Sequence, residues 1–175
     1  MKSLVVYSTL TGNTKMVAEA VAEVMPNADI FAIEDAPNTE DYDLVAVGYW
    51  VDRGRPDTKT CKWLEKLQNS KVILFGTLGA YPDSDHAKES MANGEALVKD
   101  RGNTVLGSWL CQGKVDPKLL QAMAKMPNAG GHPMTEERKA RIEEAKKHPN
   151  EQDLENVKQF IRSMLTKVID IQTEV

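Results

Sequence analysis

The residues best suited to chemistry stand near the start of the chain: Ser8-Thr9-Leu10-Thr11-Gly12-Asn13-Thr14-Lys15. Three threonine hydroxyls and one amide surround a single glycine. An apolar run, Leu4-Val5-Val6-Tyr7, comes before them, and a helix-patterned segment over 13–25 comes after. A strand, a loop of this kind and a helix start make an anion-binding arrangement. The first N–H groups of a helix have no intrahelical partner and carry partial positive charge. Thr9, Thr11, Thr14 and Asn13 add neutral donors, and Gly12 lets the backbone come close to an anion. Helix capping alone needs one hydroxyl, so three and a glycine exceed it. Lys15 is the only cation in the loop, which suits a small monophosphate held by neutral groups. The glycine patterns of the P-loop and of dinucleotide sites are absent. The nearest look-alike, Gly107 to Lys114, has five residues between its glycines and Val115 after the lysine.

Other candidate chemistry is thin. Cys61 and Cys111 are too few for a disulfide framework and read as small buried hydrophobes in a reducing compartment. The three histidines have no metal-ligand spacing. Asp83-Ser84-Asp85 before His86 reads as a helix cap rather than a metal site. No Ser/His/Asp or Cys/His pattern suggests nucleophilic catalysis. At 175 residues, 41% hydrophobic and 27% charged, the chain matches one globular domain, 1–175. A net charge of −4 argues against nucleic acid, which wants a basic face. No apolar run approaches transmembrane length and no signal-peptide pattern opens the chain, so a cytoplasmic monomer away from membranes is expected.

The elements that must carry the loop follow from periodicity. Short apolar runs at 4–7, 29–33, 44–49, 72–76 and 104–110 read as strands buried on both faces. Helical patterns over 13–25, 57–68 and 85–101 alternate with them, which implies right-handed βαβ crossovers and a parallel sheet. The last third differs. Helices are expected over 118–126, 135–147 and 153–169, with a break at 127–133. The last is amphipathic, with Leu154, Val157, Phe160, Ile161, Met164, Leu165 and Val168 on one face. The charged 135–147 helix reads as part of a solvated excursion around 114–150; a partner-docking element is the alternative.

Thr9-Leu10-Thr11-Gly12-Asn13-Thr14, directly after the first strand, resembles the FMN phosphate loop of flavodoxins, T/S-x-T-G-x-T. The resemblance covers 1–112 and the closing helix, and implies a three-layer α/β sandwich with a five-stranded parallel sheet ordered 2-1-3-4-5. In such a sheet the loops after strands one, three and four meet at the switch point. Here the last two are 49–57 and 77–86. A flavin ring wants aromatic faces, worth about 0.5–1.5 kcal/mol per pair beyond area burial. The resemblance implies that Tyr81, in Gly79-Ala80-Tyr81, supplies one face and Tyr49 or Trp50 the other, with Trp50 preferred because Tyr49 continues the strand. It further implies that Thr77 and Gly79 belong to the site and that Gly54 is the peptide that reorients toward the flavin. Arg53 and Arg55 stand where typical members carry acids. They would stabilise a reduced anionic flavin, pair with Asp52 or Asp57, or meet an acidic partner or an NAD(P)H phosphate. The expected function is FMN-dependent electron transfer to or from a protein redox partner. The alternatives are an FMN-dependent NAD(P)H:acceptor oxidoreductase and a flavin-free phosphate-binding scaffold.

Overall fold

A computed structural model describes residues 1–125 and 133–173, with side chains up to Ile169. The expected strands form. They are β1 (Ser3–Tyr7), β2 (Ala28–Ala32), β3 (Leu44–Asp52), β5 (Lys71–Leu78) and β6 (Thr104–Gln112), joined in parallel in the order β2-β1-β3-β5-β6. Apart from the short β4, this is the 2-1-3-4-5 order. The order reverses beside β1, so the loops leaving β1 and β3 splay apart and open a crevice.

β4 (Arg55–Pro56) was not expected. It pairs antiparallel with the end of β3, Asp52 opposite Arg55, through a two-residue turn at Arg53-Gly54. Both turn residues have positive φ, 51° and 77°, as the type I′ hairpin demands. The turn lets β3 run three residues past its expected end.

The sheet is covered on both faces. Along β1, Leu4 and Val6 face one core layer and Val5 the other, as strand alternation requires. On Val5's side pack α1 (Asn13–Val24) and α6 (Glu151–Thr173). Val157, Ile161, Met164 and Val168 of α6 are buried and Leu154, Phe160 and Leu165 half-buried, so the expected amphipathic face is the packed one. Gly107 admits α6 closely: a methyl there would lie 2.6 Å from Met164 Sδ. On the other face lie α2 (Thr58–Leu64) and α3 (Asp85–Lys99), which bury Leu64, Ala87 and Val98. Asp57 and Ser84 cap these two helices.

The C-terminal third contains α4 (Pro117–Lys125) and α5 (Glu136–Ala145). The break expected at 127–133 lies outside the described residues except for Pro133. Among the described residues no helix is long and apolar enough to cross a membrane, and no cluster of His, Cys, Asp and Glu could hold a metal ion.

Candidate functional site

The loops after β1, β3, β5 and β6 leave the same edge of the sheet, because parallel strands share their carboxyl ends. Between them lies a cavity of about 760 Å³, in the range that holds one cofactor-sized molecule.

One end of the cavity is the β1–α1 loop. Thr9, Leu10, Thr11, Asn13 and Thr14 line it. Gly12, with φ 92°, is the N-cap of α1 and supplies no side-chain hydrogen bond, so the first-turn N–H groups are left to outside partners. A methyl at Gly12 would meet no atom within 4 Å; the positive φ is what requires glycine there. The hydroxyls divide into two kinds. Thr9 Oγ1 accepts the Gly12 N–H at 3.0 Å and shapes the turn. Thr14 and Thr77 share a hydrogen bond of 3.0 Å between hydroxyls, both buried, which ties α1 to β5. Asn13 Nδ2 donates to the Lys114 carbonyl at 2.9 Å. Thr11 is exposed and has no hydrogen-bond partner among the described residues. Ser8 lies behind the loop and donates to Asp57 Oδ1 at 2.8 Å.

The β3 loop brings Trp50, Val51, Asp52 and Arg53 into the wall. Tyr49 points to the opposite face, as alternation along β3 dictates, and is fully buried. Its hydroxyl has no partner, and a methyl on Gly94 of α3 would lie 3.2 Å from it. Burial pushes the Tyr49 phenol far up, and the charge of Glu95 adds to this. Of Tyr49 and Trp50, Trp50 lines the cavity and Tyr49 does not.

Two expected site residues lie elsewhere. Gly54 is outside the wall: it occupies the hairpin turn, and its carbonyl accepts from Asn93 Nδ2 at 2.7 Å, anchoring the turn to α3. Tyr81 is also outside. The β5 loop contributes Thr77, Leu78 and Gly79 to the cavity. The Tyr81 carbonyl then accepts the Ser84 N–H and hydroxyl, at 3.1 and 2.6 Å, which turns the chain toward α3. The Tyr81 ring instead borders a second hollow of about 400 Å³ with Pro82, Gln112, Glu144, His148 and Asp153. Arg55 lies off the cavity as well, with Nη2 3.4 Å from Cys61 Sγ, whereas Arg53 stays in the wall.

Sequence reasoning missed the far wall. Gly113, Lys114, Val115 and Asp116 follow β6, and Leu119 and Met123 from α4 with Met134 and Arg138 near α5 continue it. The excursion expected to be solvated therefore closes one side of the cavity. Gly113 permits the approach: a methyl there would lie 2.8 Å from Asn13 Nδ2 and 3.2 Å from Thr77 Cβ. Arg138 Nη2 approaches Met123 Sδ at 3.7 Å and links the two helices. Buried Gln112 bridges the Gly79 and Arg141 carbonyls at 3.2 and 3.3 Å. The Lys114 N–H donates to the His148 carbonyl at 3.0 Å. His148 itself sits between Asp153, at 2.6 Å, and Glu144, at 3.3 Å. Burial would lower its pKa, but the hydrogen bonds to these carboxylates outweigh it and hold the imidazole above its ordinary value. Two sequence signals pointed here: the i, i+4 spacing of Leu119 and Met123, and the glycine at the end of the last strand.

A doubly wound parallel sheet with an uncapped helix start and Trp50 lining one crevice at its switch point defines an α/β protein of the kind that holds a ligand at the carboxyl ends of its strands. The sequence pattern of the family described as Flavodoxin domain matches residues 4–162. The flavodoxin-like domain-containing protein BilS of Clostridioides difficile (strain CD3) is 34% identical over 175 aligned positions, 95% of this chain and 98% of its own length. Among solved structures, oxidised flavodoxin 2 from Bacillus cereus superposes with a TM-score of 0.59 at 15% identity, covering 95% of this chain and 99% of its own. A Lactobacillus acidophilus NCFM flavoprotein in complex with FMN gives 0.53 at 17% identity, covering 70% and 98%. The chain belongs to the flavodoxin family, whose cofactor is FMN.

Proposed function

We propose that this chain binds FMN in the cavity described above and passes electrons to or from a protein partner. The observation that carries the reading is the joining of two unlike ends in one cavity. The polar end is the Thr9–Thr14 loop and the uncapped start of α1; the other end is Trp50 with apolar neighbours. The donor set fits a phosphomonoester: first-turn N–H groups, the Thr11 hydroxyl and little local positive charge. Trp50 offers an aromatic face to a ring. Val115, Leu119 and Met123 line the same cavity and could offer the apolar contact that the family resemblance gave to Tyr81, and Thr77 and Gly79 line it too.

FMN supplies the electron-accepting chemistry when bound. The chain's own residues bind and orient it. The helix start would hold the phosphate, the Thr14–Thr77 bond holds that helix against the sheet, and the apolar wall would border the ring. The test is titration of the purified protein with FMN and with riboflavin, followed by the visible spectrum. Tight FMN binding with riboflavin much weaker supports the reading; equal affinities refute it.

A second reading, an FMN-dependent NAD(P)H:acceptor oxidoreductase, draws on the apolar wall from α4, which would suit a small acceptor beside the ring. Steady NAD(P)H oxidation by the FMN-loaded protein alone would place it first.

A further inference from the structure

Several surface lysines meet carboxylates: Lys59 with Glu34, Lys99 with Glu95, Lys147 with Glu144, Lys158 with Glu23. Others, such as Lys62, Lys66, Arg101 and Lys167, have no ion-pair partner among the described residues, but they are scattered over the surface. At the cavity mouth such cations gather. Lys15, Arg53, Lys114, Lys118 and Lys125 are exposed, and none has an ion-pair partner among the described residues. Arg53 and Lys114 line the cavity. Lys15 is in the first turn of α1, and Lys118 and Lys125, seven residues apart, share one face of α4. The carboxylates of the wall are Asp52 and Asp116, and Asp116 accepts the Lys118 N–H at 2.9 Å. Glu137 stands beside Arg138, and Glu136 pairs with Lys139.

Within this ring of charge the rim is apolar. Leu10 is 59% exposed, Leu119 52% and Met134 37%, and all three line the cavity. Large exposed apolar side chains rimmed by charge mark association surfaces. A chain of net charge −4 thus presents a locally positive, apolar-centred face where its cofactor would be reached.

We infer that this mouth is a docking face for a redox protein carrying an acidic patch around its own electron-exchanging group. The inference rests on the electron-transfer reading and adds the chemistry of the partner. Its physical basis is range. At about 0.1 M salt the Debye length is about 10 Å, so an approaching protein senses the unpaired cations at the mouth rather than the distant excess of carboxylates.

Two haem proteins of opposite charge serve as probes: acidic cytochrome b5 and basic cytochrome c, both ferric. The FMN-loaded chain is photoreduced and mixed with each in stopped flow. One electron leaves the reduced flavin and converts Fe(III) haem to Fe(II). The rate with cytochrome b5 is expected to fall about tenfold between about 0.1 and 0.5 M salt, and the rate with cytochrome c to stay flat or rise. In the Lys118→Glu/Lys125→Glu variant, whose changes lie outside the cavity wall, the cytochrome b5 salt slope should flatten while FMN affinity stays unchanged.

The opposite pattern, cytochrome c faster and slowed by salt, would mean that net charge governs approach and would overturn the inference. An unchanged slope in the double variant would also overturn it. A second measurement needs no flavin. Amide shifts of the labelled chain, titrated with cytochrome b5, should move at Lys15, Lys114 and along α4. Their absence counts against the docking face, whereas failure to bind FMN counts against the function proposed above.

Discussion

Thr11 and Thr14 stand three residues apart in one loop, yet removing their hydroxyls should have opposite consequences. Thr14 Oγ1 lies 3.0 Å from Thr77 Oγ1, and the two residues are 1% and 3% exposed. Thr14→Ala leaves the Thr77 hydroxyl buried and unpaired, which costs about 1–3 kcal/mol of fold stability. For a chain of this length that is roughly 2–4 °C of melting temperature per kcal/mol. Thr11 has no partner among the described residues to strand, so Thr11→Ala should move stability by no more than about 0.5 kcal/mol. Its cost should appear in binding instead. One charge-assisted bond to phosphate is worth about 1.5–3 kcal/mol, or roughly 10- to 150-fold in FMN affinity, with riboflavin affinity unchanged. The assays are thermal melts of the FMN-free protein and flavin-fluorescence titrations with FMN and riboflavin. Combining Thr14→Ala with Thr77→Ala should cost less than the two single changes together, since the stranded partner is gone. Equal loss of stability in the two single variants would refute the division of roles, as would an FMN affinity indifferent to Thr11→Ala.

Trp50→Ala should weaken FMN and relieve the quenching of its fluorescence, whereas Tyr81→Ala should leave both within error, the reverse of what the family loop pattern implies for Tyr81. Tyr49→Phe removes a buried hydroxyl that has no partner, so the melting temperature should hold or rise; a clear fall would reveal a bond not seen here. The folded-state pKa of His148 lies above its ordinary 6.5, so its ion pairs stabilise fully below that pH and fade as pH rises through the higher folded value. Melting curves of the native chain and of His148→Gln should therefore differ most below pH 6.5 and draw together as the pH rises above it; a gap that widens with pH would contradict the assignment.

The parts legible in the sequence are those set by local pattern. Continuous apolar runs gave the strands, and the threonine-glycine loop gave the anion end of the cavity. The spacing from Leu154 to Val168 marked the packed face of α6. The parts that escaped depend on distant contacts. Gly54 and Tyr81 looked placed by the family pattern, but the path of each loop is held from afar. Asn93 grips the Gly54 carbonyl across 39 residues, and Gln112 grips Gly79 across 33. The excursion was misread because its charge is real: the face of α5 that carries Lys139 and Glu143 is solvated. What draws its other side to the site is a few hydrogen bonds to Gln112 and Lys114, and no periodicity announces them.

Those few bonds make a relay. The His148 carbonyl holds the Lys114 N–H, and the Lys114 carbonyl holds Asn13 at the start of α1. Any coupling through it is reciprocal: if an anion at α1 favours the docked excursion, the docked excursion favours the anion by the same free energy. Local opening of α5 is then expected to follow cofactor loading. The loaded chain should exchange its α5 amides slowly and resist proteases there, while the empty chain offers the same segment for cutting.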